Sequence, residues 1–335
     1  MHCSACGAPD TSTVKLDVAV ESLYAELLNR GPAIGSPAVI QAVGNRLFVG
    51  DAAGDPDLHI LDAYGGDLIV SLGRRGEGPG EFAGPIVGLA VVRPDTMAVW
   101  VYDGFKFMRV DESRTLNAET PTITPQEAPF LARATWLDSL TIVGVRRELE
   151  ERFVFFDIAG ERIATVPGAL LGGDTIPMTE RVRASINFAL CARMEAPGFA
   201  LAYWDAGRVE LYDHKAGRPV VADVPYPSEP DFTRVRGEMR FRMGRHHYTE
   251  CSASNDYVYA LYSGQTSLGQ TTDADEVSHG QEVHVFDWEG QYVGKLHLDT
   301  PMFGLSVDEQ AGWLYGTSLL DAGVYRFRLP TPGMP

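Results

Sequence analysis

Residues 58–82 read Leu58-His-Ile-Leu-Asp62-Ala-Tyr-Gly-Gly66-Asp-Leu-Ile-Val-Ser-Leu72-Gly-Arg-Arg-Gly-Glu-Gly-Pro-Gly80-Glu-Phe82. Two short apolar runs, LHIL and LIVSL, flank a polar, glycine-rich turn, which is the pattern of two antiparallel strands joined in a hairpin. The ten residues from Gly73 to Phe82 hold four glycines and a proline. Such a composition forms neither a helix nor a central strand. It predicts a shaped connection that leaves the outer edge of one sheet, with Phe82 as the apolar anchor where the next sheet begins.

Parts of this stretch recur along the chain. An apolar strand ends in an aliphatic or aromatic residue plus aspartate at Leu61-Asp62, Val110-Asp111, Phe156-Asp157, Tyr212-Asp213 and Phe286-Asp287. Four of these endings run on into a glycine, at positions 65, 160, 217 and 290, and successive aspartates lie 49, 46, 56 and 74 residues apart. A sixth unit ends in Val324-Tyr-Arg-Phe-Arg-Leu329 without the aspartate. Four strands repeating about every 50 residues signal propeller blades. One twisted sheet cannot bury both its faces, whereas six packed around an axis can. The expected fold is all-β: a six-bladed β-propeller of four-stranded antiparallel blades near residues 36–72, 86–121, 129–168, 184–225, 246–299 and 302–329. Val14 to Val20 alternates apolar and polar residues and is expected to close the ring as an N-terminal strand. Residues 14–330 then form a single propeller after a flexible tail over 1–13. Glu21 to Asn29 reads as a short helix, 264–280 as a loop inside the fifth blade, and 226–245 as a long crossover.

The linker Gly76-Glu-Gly-Pro-Gly-Glu-Phe82 and the strand Asp256-Tyr-Val-Tyr-Ala-Leu-Tyr-Ser-Gly264 carry a family likeness. With the repeats, they make residues 36–329 resemble the bacterial six-bladed β-propellers related to NHL-repeat propellers. The resemblance implies the same ring. Because many members of that group are lipid-anchored, it also implies a site outside the cytoplasm, while saying almost nothing about activity.

A hydrophobic content of 45% supplies a sizeable core, and a net charge of -17 argues against a nucleic-acid partner, whose phosphates need clustered Lys and Arg. No run of 18 apolar residues exists, so no transmembrane segment is expected. The four cysteines, at 3, 6, 191 and 251, are too few for a disulfide framework, and Cys191 and Cys251 read as buried free thiols. Cys3-Ser-Ala-Cys6-Gly7 resembles the end of a bacterial lipobox, which makes Cys6 the candidate lipid-attachment residue. The basic and apolar segment that precedes such a cysteine would lie upstream of Met1. A plain flexible tail and a Cys-x-x-Cys zinc half-site are the alternatives, the latter without a second ligand pair.

No Gly-x-Ser-x-Gly or His-Glu-x-x-His motif occurs, so no catalytic residue is named and the chain reads as non-enzymatic. The glycine-rich stretch 73–80 lacks the Lys-Ser/Thr and the following helix of a phosphate loop. His247, at the start of an inner strand facing the channel, is a candidate ligand or base, against an ordinary hydrogen-bonded histidine. Asp273, Asp275 and Glu276 loosely match a calcium loop but lack its spacing and distal glutamate, and no other cofactor is implied. Inner-strand residues such as Val39, Val87, Ala132, Asn187 and Ser252 are mostly apolar or small, so no convergent polar set is expected in the channel.

Arg234, Arg236, Arg240, Arg242 and Arg245 stand out against the acidic background. They read either as a docking patch for an acidic partner or anionic lipid, or as salt bridges to nearby carboxylates. The combined expectation is a non-catalytic protein-interaction module outside the cytoplasm, periplasmic or on the outer surface. It would be a peripheral accessory subunit on a membrane protein complex, for example an electron-transfer or photosynthetic assembly. A metal-dependent propeller hydrolase or lactonase and a small-ligand-binding sensor are the alternatives.

Overall fold

The strands fall into sheets of consecutive up-and-down neighbours, because each is joined to the next by a tight polar turn. A computed structural model describes residues 19–92, 97–112, 116–147, 151–193, 195–213, 219–266 and 278–330. Blades 1 to 4 are four-stranded antiparallel meanders over residues 37–72, 88–123, 131–166 and 188–221. Blade 5 covers 248–302 and blade 6 begins with the three strands of 304–328. The hairpin expected over residues 58–72 forms, pairing Leu58–Asp62 with Leu68–Leu72. Its turn is held by Asp62, whose Oδ1 accepts the Tyr64 and Gly65 N–H groups, and Asp157 and Asp287 cap the equivalent turns of blades 3 and 5. That local bonding is why the aspartate and glycine recur.

Closure differs in detail from expectation. Ala25–Asn29 pairs antiparallel with Gly323–Arg328 and supplies the fourth strand of blade 6, while Val20–Leu23 pairs parallel with Tyr292–Met302 as a fifth strand of blade 5. The strand that completes blade 6 is therefore 25–29, and the helix read over 21–29 does not form; of the closing segment expected over 14–20, residues 14–18 lie outside the described residues. Local propensity loses because the edge of Gly323–Arg328 offers a row of backbone donors and acceptors that only a strand can fill. Glu26 adds a two-pronged pair with Arg326, at 2.8 and 2.6 Å, and Leu23 is buried between blades 5 and 6.

The core is not central but radial. Among the described residues six apolar clusters occur, one in each gap between neighbouring blades. In the last gap Leu47, Val49 and Leu61 of blade 1 pack on Tyr315 and Val324 of blade 6, so the first and last units share a core. Phe82 is fully buried between blades 1 and 2, the anchor role read for it. The connection before it is self-caged: the Glu81 carboxylate accepts the Gly78 N–H at 2.8 Å and Arg74 Nε at 2.7 Å. A Cβ at Gly76 would take the place of that carboxylate, so a side chain there would displace Glu81 from the cage.

Two features were not expected. Cys191 and Cys251 are joined in a disulfide, not free thiols: adjacent blades place their innermost strands side by side, with 5.8 Å between the two Cα atoms. Its 60-residue sequence separation corresponds to about 4 kcal/mol in the chain-entropy treatment. The innermost strands of blades 1, 3 and 5 each carry a register shift near their start, at Ala38, Ala132 and Thr249. A bulge adds a residue on one strand and re-aims the side chains beyond it. The residues that follow these three bulges, Val39, Arg133 and Glu250, all line the central channel.

Candidate functional site

The crossover between blades 4 and 5 does not stay a loop. Phe232–Val235 and Glu238–Phe241 form a two-stranded hairpin with Arg236 and Gly237 at its turn, both at positive φ, 51° and 91°. That is the backbone of a tight hairpin whose twist matches its strands. Phe232 and Phe241 are cross-strand partners and pack on the core between blades 3 and 4, which fixes the base of the hairpin to the ring. A short helix, Met178–Ser185, lies against the second strand. Its buried Glu180 accepts the Phe241 N–H at 2.8 Å and Arg240 at 3.2 Å, and also pairs with Arg183. The Phe241 hydrogen bond first, and then the arginines, hold the Glu180 carboxyl below its ordinary range.

This geometry divides the five arginines. Arg240 is structural, tied to Glu180 and Glu238. Arg245 lies near Tyr262 and opposes the rise that burial gives the pKa of its hydroxyl. Arg234, Arg236 and Arg242 are exposed, and none has a salt-bridge partner among the described residues; Arg234 makes one long bond, 3.4 Å, to the Gly237 carbonyl. Around them stand two exposed apolar residues, Val235 at 49% and Met243 at 52% relative exposure.

The second feature is the channel, a cavity of about 1410 Å³ lined by the innermost strands. Beside the apolar and small residues expected, such as Val39, Val87 and Ser252, it carries charge. Arg133 and Glu250 line it, and neither forms an ion pair with a described residue. Burial pushes the Glu250 carboxyl up to about 7, against the opposing pull of the Cys251 N–H and of Arg133. Beside Arg133 a lobe of about 190 Å³ is walled by Ala132, Arg147, Ile186, Asn187, Phe188 and Trp204. At the opposite ends of the strands the channel is bordered by Asp138, Glu195, Asp256, Asp308 and Glu309. Sequence reasoning missed Arg133 and Glu250 because a bulge breaks the two-residue alternation from which facing is read.

His247 is not a channel residue. It is buried, its Nε2 lies 2.9 Å from Ser228 Oγ, and burial drives its pKa down to about 4, keeping it neutral. Asp273, Asp275, Glu276 and Cys6 lie outside the described residues. Among the described residues no group of three His, Cys, Asp or Glu is placed to hold a metal ion, and no helix is long and apolar enough to cross a membrane.

The chain matches a family model described as TolB-like 6-blade propeller-like over residues 19–310, in keeping with the six sheets. The chain belongs to the TolB-like six-bladed propeller family. A member of the duf4221 family from Bacteroides vulgatus superposes with a TM-score of 0.56 at 11% identity, over 93% of this chain and 97% of that one. The structure of U3-55K gives 0.51 at 9% identity, over 91% and 98%, and the RRP9 WD40 repeats give 0.50 at 8% identity, over 91% and 97%. At such identities the likeness concerns the ring alone. No curated protein sequence matches the chain.

Proposed function

We propose that this TolB-like propeller is a non-catalytic protein-interaction module that works outside the cytoplasm, as a peripheral accessory subunit docked on an acidic face of a membrane protein complex. The observation that carries the reading is the arginine hairpin. In a protein of net charge -17, three guanidiniums without salt-bridge partners among the described residues stand on an element locked to the ring by Phe232, Phe241 and Glu180. Arginine and methionine are enriched in protein interfaces, and a hairpin held rigid before contact loses little entropy on docking. The Cys191–Cys251 disulfide supports a compartment less reducing than the cytoplasm. A lipid on Cys6 would hold the ring beside a membrane-embedded partner.

The test is a triple charge reversal, Arg234→Glu, Arg236→Glu and Arg242→Glu, compared with wild type in co-purification from gently solubilised native membranes. Wild type is expected to recover a partner complex in a salt-sensitive manner, and the triple variant to lose it while remaining folded. Equal recovery by both proteins would overturn the assignment of the docking surface.

A further inference from the structure

The channel lobe holds two guanidiniums and no carboxylate to pair them. Arg133 and Arg147 both wall it, and neither has a salt-bridge partner among the described residues. Arg147 spends one donor on the Leu131 carbonyl at 3.2 Å; the Arg133 guanidinium has no hydrogen bond to another described residue. Like charges held close together repel, and a guanidinium withdrawn from water with no carboxylate at ion-pair distance is costly; Arg133 is the half-buried member of the pair and Arg147 the exposed one. Burial, opposed by Glu250 and reinforced by Arg147, pushes the Arg133 guanidinium below its ordinary value. Two cations on a lobe whose walls hold no carboxylate are conspicuous in a chain with 45 acidic residues and 28 basic ones.

The remaining walls are apolar or aromatic: Ala132, Ile186, Phe188 and the indole of Trp204. Trp204 Nε1 and both ring nitrogens of the adjoining His246 find no hydrogen-bond partner among the described residues, so this side of the mouth carries polarity that those residues do not satisfy. A volume of about 190 Å³ equals roughly six waters at about 30 Å³ each, more than a bare oxyanion fills. A planar carboxylate suits the forked donors of arginine, and an attached apolar body suits the walls.

We propose that the lobe framed by Arg133, Arg147 and Trp204 binds a small organic carboxylate, its carboxylate on the two guanidiniums and its apolar part against Phe188 and the indole. This site shares no residue with the arginine hairpin, so either proposal can fail without the other.

The experiment is calorimetry with a parallel thermal-shift series on the full chain, using acetate, benzoate, phenylacetate and inorganic phosphate at constant ionic strength. Benzoate or phenylacetate is expected to bind one to one and more tightly than acetate. Arg133→Gln and Arg147→Gln should each weaken it by about ten- to a hundredfold, the worth of a charged hydrogen bond, while Arg236→Gln leaves it unchanged. Arg147 sits at the exposed rim, so its variant reports on the site even if the inner-strand variant fails to fold. Absence of binding by both aromatic acids, or binding that survives Arg147→Gln, would overturn the proposal. So would arginine-dependent binding of phosphate alone.

Discussion

Glu250 shows what a single inner-strand residue meets when a bulge aims it at the channel. Its carboxyl is raised to about 7 chiefly by burial, so the folded state favours the protonated form. The sign follows from linkage: stability is fully present below the unfolded value near 4.5 and is lost as pH rises toward about 7. Glu250→Gln, which imitates the protonated acid, should leave stability unchanged at pH 4 to 5 and raise it by about 1–3 kcal/mol at pH 8, allowing for water in the channel. Denaturant midpoints of both proteins across that range check it, and parallel curves at all pH values would contradict it. His247 works in the other direction, its depressed pKa costing stability as pH falls from 6.5 toward about 4. At this scale the sequence was least legible. Facing is inferred from alternation, and Arg133 and Glu250 each follow the extra residue that resets it. The partners Cys191 and Cys251 meet only because two blades do, and nothing local marks them.

Among elements, the hairpin of the blade 4 to 5 crossover depends on a turn that two positive φ angles make possible. Gly237 sits at 91°, and nothing lies within 4 Å of the place a Cβ would take, so the cost of a side chain there is backbone strain alone. Gly237→Val should destabilise the hairpin by about 1–2 kcal/mol. The rest of the ring should be untouched, giving faster amide exchange over 232–241 with little change in global unfolding. Unchanged exchange there would show the turn to be less demanding than its geometry implies. The elements of the blades were legible because each is set by local chemistry: apolar alternation, an aspartate that caps its own turn, and a glycine beyond it. The hairpin was not, since Arg234, Arg236, Arg240 and Arg242 mask a short strand pattern that Phe232 and Phe241 anchor to the core. Nor was the 25–29 strand, whose helix-forming residues take the shape required by the edge they cover.

For the molecule as a whole, the repeats carried the architecture because a propeller is a sum of similar units whose burial requires the ring to close. Leu47, Val49 and Leu61 meeting Tyr315 and Val324 complete that burial, and Ala25–Asn29 stitches it. Function was legible only in outline. The charge contrast between the arginines and the rest of the chain is a sequence property, but that Arg240 is spent on Glu180 and Glu238 is a property of the fold. The most direct measurement places a photo-reactive amino acid at Val235, beside the hairpin turn, and separately at Ile69, on the outer strand of blade 1, followed by irradiation in native membranes. Docking through the hairpin predicts a specific cross-linked protein from position 235, none from position 69, and loss of the product when Arg234, Arg236 and Arg242 are reversed in charge. A product from position 69 alone would contradict it.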